Sequence, residues 1–182
     1  MKKYQIIYAD PPWNIGSMRM KKARPNAGLT YPRMKIEDIK ALPVAELADK
    51  DCGLFLWTTH TFLPKAFEVV KAWGFKYHCC ITWDKTNGIP CWGFKRRTEF
   101  ILYGYKGKIN VNQTGRFIHT LFTEKLTTHS TKPLGFYEIL ENNTPEPRIE
   151  LFARQKREGW DSIGFDLDGM DLKESIDKLI TQ

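Results

Sequence analysis

Short runs of β-branched, aromatic and aliphatic residues recur along this chain, separated by stretches with helical spacing or clusters of turn formers. Tyr4–Ala9, Gly53–Thr58, Phe75–Trp83, Thr98–Tyr105 and Arg148–Phe152 read as buried strands, the first stopped by Asp10-Pro11-Pro12. Phe62–Trp73 places Phe62, Ala66, Val69, Val70 and Trp73 on one helical face and closes on Gly74. Ile36–Leu47 reads as a helix interrupted by Pro43, and Pro133–Asn142 as a helix with proline in its first turn. A weaker strand is expected at Phe117–Phe122. This alternation predicts an α/β fold, a mostly parallel sheet with helices on both faces. In such sheets the ligand crevice lies beyond the carboxyl ends of the strands. Asp10, Thr58, Trp83–Lys85 and Arg154 fall there.

The chain has 182 residues, enough for one domain, expected to span 1–182. No stretch approaches the ~20 consecutive apolar residues of a membrane span. The Met-Lys-Lys-Tyr start leaves too little chain before Asp10 for a secretory leader, so a cytoplasmic setting is expected. Disorder is excluded by six Trp, seven Tyr and eleven Phe. Cys52, Cys79, Cys80 and Cys91 lack C-x-x-C spacing and read as reduced thiols; His60, His78, His119 and His129 are scattered, so no metal site is expected.

Charge is unevenly distributed. From Glu158 onward there are seven acids and two bases, whereas residues 1–157 hold 26 bases against 14 acids. Between Asn14 and Lys35 there are six bases and no acid, and Lys95-Arg96-Arg97 forms a second cluster beside Trp92 and Phe94. Basic clusters interleaved with aromatics suit a phosphate backbone carrying stackable bases. The turn-rich stretches 14–35, 85–97 and 106–128 are the expected recognition loops.

The sharpest motif is Asp10-Pro11-Pro12-Trp13, directly after a strand. Neither proline has an N–H and both have fixed φ, so the segment is a rigid array of acceptors. Fixed acceptors beside the flat Trp13 ring suit a planar group bearing an exocyclic NH₂, such as the adenine amine. Two acceptors build density on that weak nucleophile and stabilise the positive charge that develops as it attacks. With an ordinary pKa of about 4, Asp10 is ionised and suited to positioning rather than strong base catalysis. The plain alternative is a strand ended by a proline turn.

Asp10-Pro11-Pro12-Trp13 resembles the signature of the MT-A70 family of S-adenosylmethionine-dependent adenine-N6 methyltransferases. The likeness continues through Tyr31-Pro32-Arg33-Met34, Gly53-Leu54-Phe55-Leu56-Trp57, Trp83-Asp84-Lys85-Thr86-Asn87, Ser130-Thr131-Lys132-Pro133, Arg148–Arg154 and Gly159-Trp160-Asp161. The resemblance implies a Rossmann-like methyltransferase fold whose catalytic motif precedes its cofactor motif. It implies that Asp10 and the Pro11 carbonyl hold the target amine, and that Trp13 or Tyr31 packs against the base, with Pro12 completing the corner. Lys132 would reach the carboxylate of S-adenosylmethionine, with Phe152 and Arg154 lining its adenosine and ribose pocket and Asp10 bordering it. Where the family often has Gly-Asn-Glu, this chain has Gly164-Phe165-Asp166, in which Asp166 can still accept from a diol but Phe165 cannot.

A compact chain without zinc-finger or coiled-coil appendages resembles the bacterial or phage members. The expected activity is therefore methyl transfer to adenine N6 in DNA, with Lys85, Asn87, Lys95, Arg96 and Arg97 joining Tyr31 on the nucleic acid. RNA as substrate, a non-catalytic nucleic-acid-binding subunit and a small-molecule methyltransferase are the competing readings. A second copy of the chain is a candidate partner.

Overall fold

The computed structural model describes residues 2–14, 33–111, 115, 117–125 and 132–181. Tyr31, Ser130 and Thr131 and most of the first expected loop lie outside the described residues. Seven strands form one sheet in the order β5-β3-β4-β2-β1-β6-β7: β1 (Tyr4–Ala9), β2 (Ala48–Thr58), β3 (Lys76–Cys91), β4 (Phe94–Lys106), β5 (Leu121–Thr123), β6 (Arg148–Leu151) and β7 (Asp161–Ile163). β4 is antiparallel to both neighbours, and the other pairings are parallel. This is the mostly parallel, Rossmann-like arrangement expected. β1 lies between β2 and β6, so the strand order reverses at its carboxyl end. That reversal opens a crevice, and Asp10 stands at its mouth.

Side-chain alternation divides the core between the two faces of the sheet. Ile7 and Ala9 of β1 with Leu54 and Leu56 of β2 face one layer; Ile6, Tyr8, Phe55 and Trp57 face the other. The first layer is covered by α1 (Ile36–Lys40), α2 (Val44–Leu47), α3 (Leu63–Ala72) and α6 (Leu172–Thr181). The second is covered by α4 (Leu134–Asn143) through Phe136, Tyr137 and Leu140. A short α5 (Phe165–Asp168) precedes α6. Pro64 lies in the first turn of α3, and Ala66, Val69 and Val70 bury its apolar face. Gly104 of β4 makes room for that helix: a Cβ there would meet Val70 at 3.1 Å. No described helix is long and apolar enough to cross a membrane.

Two expectations need correction, and the acidic C-terminal stretch takes a definite place. The helix expected over Ile36–Leu47 is two short pieces, because Pro43 cannot continue the first. The stretch 85–97, expected as a loop, is instead the far end of a long β3–β4 hairpin. Asn87-Gly88 sit in an irregularity where the register moves from Asp84↔Thr98 to Ile89↔Arg96, Pro90 is paired with Lys95 beyond it, and the true turn is Trp92-Gly93, with φ of 50° and 81°. Two consecutive positive φ values are the two-residue turn that suits strand twist. The acidic C-terminal stretch, finally, is built into the fold. Leu172 and Ile176 of α6 enter the core, while Glu174 and Asp177 face outward.

Candidate active site at the tip of the first strand

Pro11 and Pro12 end β1 by withdrawing backbone donors, and a short parallel bridge between Trp13 and Met34 fixes the course of the chain beyond them. Met34 N–H donates to the Pro12 carbonyl at 3.0 Å and Asn14 N–H to the Met34 carbonyl at 3.1 Å. The Pro11 carbonyl accepts the Trp13 N–H at 2.9 Å. A carbonyl oxygen has a second lone pair, so Pro11 keeps capacity to accept another donor.

Trp13 does not provide a plate for a base. Its indole is only 9% exposed, stacks on Phe62 with centroids 5.6 Å apart, and donates from Nε1 to the Trp57 carbonyl at 3.1 Å. Burying a large ring with its polar handle satisfied favours the core over the crevice. Trp13 is therefore the anchor of the corner.

Asp10 begins a chain of alternating charges. Lys132 Nζ lies 3.2 Å from Asp10 Oδ1 and 3.1 Å from Glu99 Oε2; Glu99 Oε1 in turn accepts from Lys85 at 3.1 Å. All four side chains are largely shielded, and Lys132 Nζ also lies 4.3 Å from the centre of the Trp57 ring. Burial raises the Asp10 carboxyl above its ordinary range, against the pull of Lys132 and Arg154. Burial opposes the Lys132 charge, but Asp10 and Glu99 outweigh it and hold the ammonium above the usual lysine value. Burial likewise acts to raise Glu99, yet Lys132 and Lys85 together hold it low. The lysine expected at a cofactor carboxylate is thus paired first with Asp10 and Glu99.

Two adjoining clefts share Asp10 and Phe152. One is lined by Pro12, Met34, Phe165, Asp166 and Leu172, the other by Lys132, Tyr137, Glu150, Arg154 and Gln155. The expected cofactor residues are therefore divided, with Asp166 in the first cleft and Lys132 and Arg154 in the second. Phe152 adopts φ of 64°, a conformation rare for a bulky residue, as the chain leaves β6 at this junction. Gly164 is packed against the same turn: a Cβ there would lie 2.3 Å from the Ala153 carbonyl oxygen.

The expected substrate residues do not act as one set. Lys85 is half-buried in the charge chain. Arg97 is bound two-fold to Asp84, with Nε 2.6 Å from Oδ1, and braces the hairpin. Asn87 accepts its neighbour Gly88 N–H through its own side chain at 2.9 Å. Arg96 donates to Thr61 Oγ at 3.2 Å from an exposed position, and Lys95 is exposed.

Glu99 and Glu150 were missed as site residues. Each is an acid followed directly by apolar strand residues, in Thr-Glu-Phe-Ile-Leu and Arg-Ile-Glu-Leu-Phe, and that contrast is the available signal. Tyr137 donates to Glu150 at 2.9 Å, and burial pushes the Glu150 carboxyl up to about 7. A carboxyl raised on folding favours the native state most when protonated. Its contribution is complete below the unfolded value near 4.5 and is lost as pH climbs through 7. Chemical denaturation should therefore show about 3 kcal/mol less stability from this group at pH 8.5 than at pH 4. Glu150→Gln should flatten that dependence; an unchanged pH slope would assign it to other groups.

The MT-A70 family profile matches residues 4–166, nearly the whole chain. The chain belongs to the MT-A70 family of adenine methyltransferases. This MT-A70 chain is 33% identical over 183 aligned positions to "Type II methyltransferase M.MunI" from Mycoplasma sp., covering 91% of the chain and 78% of that protein. It is 31% identical to "N(6)-adenosine-methyltransferase MT-A70-like protein" from Drosophila melanogaster, covering 99% of the chain but 29% of that relative. A third relative, "N6-adenosine-methyltransferase non-catalytic subunit MTB" from Arabidopsis thaliana, is 29% identical, with 73% of the chain and 18% of the relative covered. The MT-A70 chain thus spans most of the Mycoplasma protein and less than a third of the two eukaryotic ones.

Proposed function

We propose that this MT-A70 chain transfers a methyl group from S-adenosylmethionine to the N6 amine of adenine in DNA. The observation that carries the reading is Asp10, a shielded carboxylate at the junction of two clefts, backed by Lys132. MT-A70 methyltransferases generally use S-adenosylmethionine, and the residues around the clefts fit it. Asp166 suits a ribose diol, Phe152 and Phe165 give apolar walls, and Lys132 and Arg154 bring positive charge for a carboxylate. When bound, the cofactor supplies an electrophilic methyl group on a sulfonium.

The chain's own part is to make the amine a nucleophile. Asp10 and the spare lone pair of the Pro11 carbonyl accept its two hydrogens, drawing the nitrogen lone pair out of conjugation. Positive charge then grows on that nitrogen, and Asp10 stabilises it from a fixed position. Pro12 keeps the corner rigid, Trp13 pins it, and one amine proton finally leaves to water. Tyr31 remains the candidate for packing on the base, and Lys95, Arg96 and Asn87 for the polymer.

The extended similarity to the Mycoplasma Type II methyltransferase favours DNA over RNA as substrate. The test incubates the protein with methyl-labelled S-adenosylmethionine and matched duplex DNA, single-stranded DNA, RNA or adenosine, then identifies the labelled base. Label in N6-methyladenine from DNA is expected. Label confined to RNA reassigns the polymer, and no label from cofactor-binding protein overturns the enzymatic reading.

A further inference from the structure

The β3–β4 hairpin continues past the edge of the sheet on the side where Asp10 stands. β3 points the same way as β1 and β2, because each of β2 and β3 is antiparallel to β4. Glu99, which binds Lys132, is paired with Trp83 at the base of this extension. From Glu99 to Phe94 the ribbon advances five residues, about 17 Å at the usual rise of an antiparallel strand. At its end Trp92 is 94% exposed, with Phe94 at 76% and Ile89 at 71% beside it. A tryptophan left this open, on a turn whose two residues both have positive φ, is aimed outward by the backbone.

The surroundings define the partner. Lys95 and Arg96 lie on the ribbon directly behind the tip, and Arg97 locks the ribbon to Asp84, so the projection is stiff and its flank is basic. No acidic side chain occurs between Lys85 and Thr98. A major groove admits a two-stranded β-ribbon and is about 8.5 Å deep, less than the reach of this one. Aromatic rings stack on any base, irrespective of sequence.

We propose that this hairpin enters duplex DNA beside the target adenine and that Trp92 stacks in the space the adenine leaves as it turns out toward Asp10. A base inside a duplex must leave the stack before its amine can react, and a ring that occupies the gap offsets part of the lost stacking. Trp92 is here a positioning residue for duplex substrate, with no part in the chemistry. This role rests on DNA being the substrate, as proposed for the chain.

The experiment compares Trp92→Ala and Trp92→Phe with the unaltered protein on one sequence presented as duplex and as single strand. Trp92→Ala should lower methyl transfer to the duplex about ten-fold or more, the range of a lost base–aromatic stack. On the single strand it should change less than about two-fold, since no extrusion is needed. Trp92→Phe should recover most of the duplex rate. With 2-aminopurine at the target position, the fluorescence rise caused by the unaltered protein should be lost in Trp92→Ala. Equal losses on both substrates, or none, overturn the proposal. So does a shift of Trp92→Ala from dimer to monomer in sedimentation with duplex activity retained, which makes the tip a contact between copies. Unaltered protein active only on single strands overturns the wedge and leaves the methyltransferase reading standing. Protein inactive on both forms of DNA overturns the DNA reading, and the wedge with it.

Discussion

Asp10→Asn is expected to lower the rate of methyl transfer by about a thousand-fold while leaving the protein folded and able to bind S-adenosylmethionine. The amide keeps the shape of the carboxylate but replaces one acceptor oxygen with a donor and removes the negative charge. A preorganised group aimed at developing charge is worth about a hundred- to a thousand-fold in rate, and here the lost group is also ionised. Lys132 keeps Glu99 at 3.1 Å, so the cation retains a partner and the local structure has little reason to rearrange. Single-turnover rates should fall, cofactor affinity should stay within a few-fold, and the circular dichroism melt should be nearly unchanged. In the unaltered protein, burial holds Asp10 above the ordinary carboxylate range, and the ionised form accepts the amine hydrogens. The rate should therefore fall as acid protonates Asp10, and Asp10→Asn should lose that limb of the pH profile. A loss of cofactor affinity as large as the loss in rate would make Asp10 a structural member of the cofactor cleft instead.

The part of this arrangement visible in the sequence is the part set by local chemistry. Alternating apolar strands, two prolines after β1 and the capped α3 arise from periodicity and backbone geometry, and these place Asp10 at the crevice. Long-range pairing is different. Glu99 finds Lys132 across 33 residues, and Tyr137 meets Glu150 across 13, contacts no spacing rule announces. The Trp13 ring comes just after a rigid corner, and nothing local decides whether it turns toward the crevice or toward Phe62; packing decides it. The hairpin is obscured because Asn87-Gly88 and Pro90 carry turn signals yet lie within β3, the first two in a register irregularity and Pro90 opposite Lys95, while the turn itself uses Trp92, a residue rarely found at positive φ.

Lys132→Met tests whether the charge chain sets the state of Asp10. The substitution keeps a long side chain over the Trp57 ring but removes the cation that both Asp10 and Glu99 face. Lys85 still pairs with Glu99 at 3.1 Å, whereas Asp10 loses the cation that pulls on it most and is left with the attraction of Arg154. Removing one member of a shielded ion pair costs about 3 kcal/mol when the other stays charged, which denaturant unfolding at neutral pH would register. Asp10 can relieve that cost by taking up a proton, so its carboxyl should rise further, and transfer at neutral pH should fall by about a hundred-fold. Because the lost rate reflects protonation, raising the pH should restore part of it, and the acid limb of the profile should move toward alkaline pH. Adding Glu99→Gln removes the neighbouring negative charge that also lifts Asp10. The double variant should regain stability and part of the shift, a coupling larger than two independent sites would give. If the profile stays in place and only cofactor affinity falls, Lys132 serves the cofactor alone and Asp10 does not depend on it for its charge.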